Sequence, residues 1–74
     1  MKLTKEILLK LGFEKKGKIY TRWMLDLHED DPGFFSFHEG RIYFDVETVK
    51  KLHELWIMIG AETEMPLMLS EIQP

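Results

Sequence analysis

Residues Phe34 to His38 and Arg41 to Asp45 flank a Glu39-Gly40 pair, with apolar side chains at every second position: Phe35 and Phe37, then Ile42 and Phe44. Alternation of period two marks a strand with one wet face, and a Gly-containing pair between two such runs marks a hairpin. With Glu39 and Gly40 as turn residues, Phe37 faces Ile42 and Phe35 faces Phe44. Phe35, Phe37, Ile42 and Phe44 then share one face. A two-stranded hairpin is marginal in water on its own. The rest of the chain therefore has to cover this aromatic face.

Ile19 to Leu27 is rich in β-formers and reads as one further strand. Its alternation places Ile19, Thr21, Trp23, Leu25 and Leu27 on one face, and Tyr20, Arg22, Met24 and Asp26 on the other. Val49, Leu52, Trp56 and Ile59 recur at helical spacing and predict an amphipathic helix to cover the sheet. Asp45 is its expected cap, Glu47 suits its first turn, and Gly60 ends it. Leu55 and Met58 fall outside that stripe. A shorter helix opens the chain, with Thr4 as N-cap, Ile7, Leu8 and Leu11 as its apolar side, and Gly12 as its stop. Glu14 to Lys18 reads as a turn, and His28 to Gly33 as a loop punctuated by Pro32-Gly33. Pro66 limits the segment after the helix, Met65 to Leu69, to an edge strand or an irregular stretch packed on the sheet.

The expected fold is α+β. A short N-terminal helix precedes a three-stranded antiparallel sheet, one long amphipathic helix packs on the sheet, and a short extended tail follows. The 74 residues, 1–74, allow a single domain. With no Cys, the core must hold without disulfides, and thiolate metal sites and Cys nucleophiles are excluded. The N-terminus lacks the apolar stretch of a signal peptide, and the longest apolar run, Leu55 to Ile59, is far below a membrane span. No membrane association and a cytoplasmic location are the expectation.

Catalytic chemistry finds little to use. Ser36 and Ser70 lie in no nucleophile elbow and beside no evident base. No Gly-rich phosphate loop is present. His28-Glu29-Asp30-Asp31 matches neither an EF-hand loop nor H-E-x-x-H, and reads as a solvated acidic loop. No catalytic residue, metal or cofactor is expected, and the chain reads as a binding protein rather than an enzyme.

Three surfaces are candidates. The first rests on charge. Residues 1–22 carry seven bases against two acids, a balance of +5, and residues 23–74 carry three bases against eleven acids, a balance of −8. An acidic surface at Glu29, Asp30, Asp31 and Glu62 would suit a basic partner groove, provided folding keeps the two halves apart. The second is the outer sheet face, with Tyr20, Arg22, His38, Arg41 and Tyr43, flanked by the basic turn Lys15, Lys16 and Lys18. Aromatics with Arg suit single-stranded RNA or a protein hot spot. The same residues are ordinary packing if the first helix or the tail covers that face. The third is the Met-rich end, Met58, Met65, Leu67 and Met68, which suits a homodimer or a partner contact, or forms the other wall of the core.

Leu3-Thr4-Lys5-Glu6 with Leu8-Leu9-Lys10-Leu11-Gly12-Phe13-Glu14-Lys15, then Gly17 and Tyr20, resembles the opening of a family of very small proteins. That family is encoded in phage-like and mobile regions of Bacteroidetes genomes. Val49, Leu52, Leu55 and Trp56, with Glu62 and Glu64 behind, resemble its second signature. The chain departs from it at Ile57 and at Gly60-Ala61. The resemblance carries over no catalytic residues. It implies a mobile-element protein similar in kind to anti-CRISPR inhibitors, which would bind a host defence protein such as an RNA-guided nuclease. The acidic residues would then imitate phosphates. A nucleic-acid-binding accessory protein and a homodimeric structural protein are the alternatives.

Overall fold

A computed structural model of the chain describes residues 1–72. The N-terminal helix α1 spans Lys5–Lys10. Thr4 caps it, its hydroxyl accepting from the Ile7 N–H at 3.3 Å. Phe13 then returns its N–H to the Leu8 carbonyl and turns into the core. Five strands follow: β1 (Glu14–Lys16), β2 (Ile19–Arg22), β3 (Leu25–Asp31), β4 (Phe34–Glu39) and β5 (Ile42–Asp45). They form one antiparallel sheet whose strand order equals the chain order. Helix α2, Val49–Met58, and a 3₁₀ turn, Leu69–Glu71, complete the described chain. No helix among the described residues is long and apolar enough to cross a membrane.

The α+β architecture is as the sequence implies, but the sheet has five strands rather than three. Two causes account for the difference. The run Ile19 to Leu27 folds back at Trp23-Met24, and Arg22 pairs with Leu25. Trp23 adopts a positive φ of 57° there, a conformation rare for a bulky residue. Its ring packs 6.3 Å from that of Trp56, a contact that anchors the turn to the core. Of the residues expected to form a basic turn, Gly17 and Lys18 do so, and Glu14 to Lys16 instead supply β1, a short lysine-bearing edge of the kind that discourages strand addition. Strand β3 runs on through His28 to Asp31, where a loop was expected. Pro32-Gly33 make the tight turn to β4, with Gly33 at φ 82°.

The β4–β5 hairpin turns on Gly40-Arg41, one residue later than expected, and Phe37 pairs with Phe44. Gly40 has φ 60° and Arg41 does not have a positive φ. That is the primed turn with Gly in its first central position. Moving the turn by one residue moves every partner by two. Side-chain parity is preserved, so Phe35, Phe37, Ile42 and Phe44 still share a face.

Both helices cover that face over β2 to β4, while Ile42 and Phe44 on β5, expected in the core, stay exposed. The buried core joins Leu8, Leu11 and Phe13 to Tyr20, Leu25, Leu27, Phe35, Phe37 and Val46, and to Val49, Leu52, Leu55 and Trp56 of α2. Leu55 belongs to the stripe after all. Thr48, not Asp45, caps α2, accepting from the Lys51 N–H at 3.1 Å. Thr48→Ala is expected to cost about 1 kcal/mol in a urea unfolding titration. The tail is an irregular packed stretch rather than an extended one, with turns over 62–64 and the 3₁₀ turn at its end: Trp56 Nε1 donates to the Met65 carbonyl at 2.6 Å, and Leu67 is buried. Finally, Met1 to Leu3 pair with residues 47–49, through Leu3 N–H to Glu47 and Val49 N–H to Met1.

Candidate functional site

The outer sheet face is left open by the helices, and strand pairing decides what it shows. His28 pairs with Ser36, His38 with Tyr43, and Ser36 with Asp45. Directly paired residues point to the same side, so these five side chains form one cluster. Ser36 Oγ lies 2.9 Å from His38 Nε2. The His38 ring sits 4.9 Å from that of His28 and 4.6 Å, edge-on, from that of Tyr43. Tyr43 OH donates to Asp45 Oδ1 at 2.9 Å. That hydrogen bond, and then the carboxylate's charge, raise the Tyr43 pKa above its ordinary value.

The Ser36–His38 contact corrects the sequence reading, which found no base near either serine. Its distance is that of a nucleophile and its base. Catalysis by such a pair also needs a group orienting the other imidazole nitrogen. Among the described residues no carboxylate hydrogen-bonds His38, and Ser36 is buried. No group of three or more His, Asp and Glu among those residues is placed to hold a metal ion.

A cleft of about 660 Å³ opens beside this cluster. Ser36, Tyr43 and Asp45 form one wall, and Phe34, Asp30 and Asp31 another. Lys2, Glu47 and Thr48 close its end. A β-bulge builds the acidic wall. Between His28 and Asp31 strand β3 advances three residues while β4 advances two, from Ser36 to Phe34. The extra residue turns Asp31 onto the outer face, beside Phe34. Four carboxylates (Asp30, Asp31, Asp45 and Glu47) thus line a cleft that contains one lysine, Lys2, whose Nζ lies 6.0 Å over the Phe34 ring.

The acidic set expected from sequence is therefore divided. Asp30 and Asp31 reach the cleft. Glu29 is spent on the loop, accepting the Gly33 N–H at 2.9 Å. Glu62 lies elsewhere, 3.5 Å from His53 and accepting the Leu67 N–H. Asp45 and Glu47, read as helix-start residues, are the members sequence reasoning missed.

The expected aromatic and basic face is divided as well. His38 and Tyr43 share it, and Arg41 stands in the adjoining turn. Tyr20 points the other way, 0% exposed in the core, and its ring meets Phe35 edge-on at 5.6 Å. Arg22 also points inward, its guanidinium 5.1 Å over the Trp56 ring. The fold-back at Trp23 reverses the strand, so alternation carried through that point puts side chains on the wrong face. Lys15, Lys16 and Lys18 remain exposed at the β1 edge. Of the Met-rich end, Met65 and Leu67 pack into the core, and Met58 and Met68 stay exposed.

Because strand order equals chain order, segregation of charge along the sequence becomes segregation across the sheet. The basic edge is β1 and its turn; the acidic cleft sits between the ends of β3 and β5. No family model matches this chain, and no curated protein or solved structure matches it either.

Proposed function

We propose that this chain is a non-catalytic binding protein whose acidic cleft docks on the basic groove of a nucleic-acid-handling partner. The convergence of Asp30, Asp31, Asp45 and Glu47 on one cleft carries this reading. The carboxylates come from three places in the fold. Such an array presents negative charge as a phosphate backbone does, and steers a basic partner into contact. Phe34, 66% exposed at the rim, adds an aromatic anchor. The resemblance to small mobile-element proteins supplies the narrower form: inhibition of an RNA-guided nuclease by occupying its nucleic-acid channel.

The rival reading, direct RNA binding through an Arg and Tyr face, would rest on Tyr43 and Arg41, since Tyr20 and Arg22 turn inward.

Cleavage of a target RNA by an RNA-guided RNA nuclease, with and without the chain, tests the proposal. Inhibition that weakens with added salt is expected. Asp30→Lys with Asp31→Lys should raise the half-inhibitory concentration by roughly tenfold or more. The reading fails if the chain shifts free single-stranded RNA on a gel, or if the double variant inhibits as well as the parent.

A further inference from the structure

The two edges of the sheet are built differently. Strand β1 is three residues long and carries Glu14, Lys15 and Lys16, which guard it against strand addition. Strand β5 has no such guard. Ile42, Tyr43 and Phe44 are 49%, 57% and 43% exposed, and among the described residues nothing pairs with the strand's outer side.

The hydrogen-bonding direction of β5 follows from one contact. Val46 donates its N–H to the Phe35 carbonyl of β4. Backbone groups alternate sides along a strand, so Phe44 and Ile42 also turn theirs toward β4. Tyr43 and Asp45 turn theirs outward, to the free edge.

We propose that β5 is a self-pairing edge, joining two copies of this chain in one continuous sheet about a twofold axis between their Tyr43 residues. Charge complementarity selects this register. In an antiparallel pair centred on Tyr43, Arg41 of each copy stands opposite Asp45 of the other. The two Tyr43 residues face each other and exchange both main-chain hydrogen bonds. On the inner face Ile42 of one copy lies beside Phe44 of the other. There a groove of about 140 Å³, lined by Phe44, Val46, Leu55 and Met58, receives it. A shift of two residues in either direction would keep the faces and lose the Arg41–Asp45 pairs. The pairing neutralises Asp45 and leaves Asp30, Asp31 and Glu47 to each acidic cleft, so the dimer carries two clefts.

The joint is small, and a dimer on the order of micromolar affinity is expected. Sedimentation velocity over a roughly hundredfold range of concentration reads it directly. The parent chain should move from monomer to dimer. Tyr43→Pro removes the outward N–H and leaves the β4 ladder intact, so dimerisation should weaken at least roughly tenfold. Circular dichroism should stay unchanged. Asp45→Arg and Arg41→Asp should each abolish the dimer through like-charge opposition, and the double exchange should restore it. A parent monomeric throughout overturns the proposal. So does a dimer that tolerates Tyr43→Pro or Asp45→Arg, or a double exchange without rescue.

Discussion

Trp56→Ala is expected to remove roughly a third or more of the stability of the fold and to lower its urea midpoint sharply. The indole is fully buried and is the hub of the inner layer. It meets Phe13 at 5.9 Å and Trp23 at 6.3 Å between ring centroids, and carries the Arg22 guanidinium on its face. It thereby ties α2 to the end of α1 and to the β2–β3 turn. Its N–H also holds the tail through the Met65 carbonyl. Truncating a buried Trp costs about 3–5 kcal/mol through lost transfer energy and the cavity left behind. A domain of 74 residues has roughly 4–11 kcal/mol in total. Urea titration followed by far-ultraviolet circular dichroism checks it. Trp56→Phe keeps most of the packing and loses the hydrogen bond, so it should retain a cooperative transition weakened by about 1–2 kcal/mol. Equal midpoints for Trp56→Ala and the parent would contradict the assignment of this core.

Tyr20 should respond to two substitutions with opposite signs. Tyr20→Ala removes a fully buried ring packed edge-on against Phe35, at a cost of about 3–5 kcal/mol. Tyr20→Phe keeps the ring and removes a hydroxyl that is buried without a hydrogen-bond partner. Relieving such a group should stabilise the fold by about 1 kcal/mol. A pH series separates this from packing. Burial, and then the charge of Glu29, raise the Tyr20 pKa above 10.0. The folded state therefore holds this proton more tightly than the unfolded state. The associated stability is present below pH 10 and is lost as pH rises through the folded pKa. Tyr20→Phe should accordingly lose less stability than the parent between neutral pH and about pH 11. Identical slopes in the two proteins would show that the hydroxyl is not buried.

The helices were legible because their signals are local. Thr4, the Ile7–Leu8–Leu11 spacing and Gly12 specify α1 without reference to the rest of the chain. The stripe of α2 was legible except for Leu55, which a wider apolar face takes in. The aromatic face of the β4–β5 hairpin was legible because parity survives a displaced turn. The turn itself was misplaced because Gly was assigned to the second central position, whereas a primed turn can take it first. The fold-back at Trp23-Met24 was not legible. No Gly, Pro, Asn or Asp marks it, and its positive φ is held by a contact with Trp56, distant in sequence. That one hidden turn sent Tyr20 and Arg22 to the wrong face. The cleft was hidden for a related reason: it needs a bulge in β3 and the arrival of Lys2 beside Thr48, neither of which leaves a local trace.

The stitch between Met1–Leu3 and residues 47–49 bears on the order in which the molecule assembles. Every sheet pairing joins neighbours in the chain, so the meander can zip up hairpin by hairpin with short closures, a topology that folds fast. The stitch instead closes a loop from Lys2 to Thr48, which costs about 1–2 kcal/mol more in chain entropy than a hairpin does. It is expected to form after the sheet, and during synthesis only once Thr48 has left the ribosome. Until then Leu3, destined to be fully covered, stays in water. Residues 1–3, made before the sheet, are thus among the last to find their place.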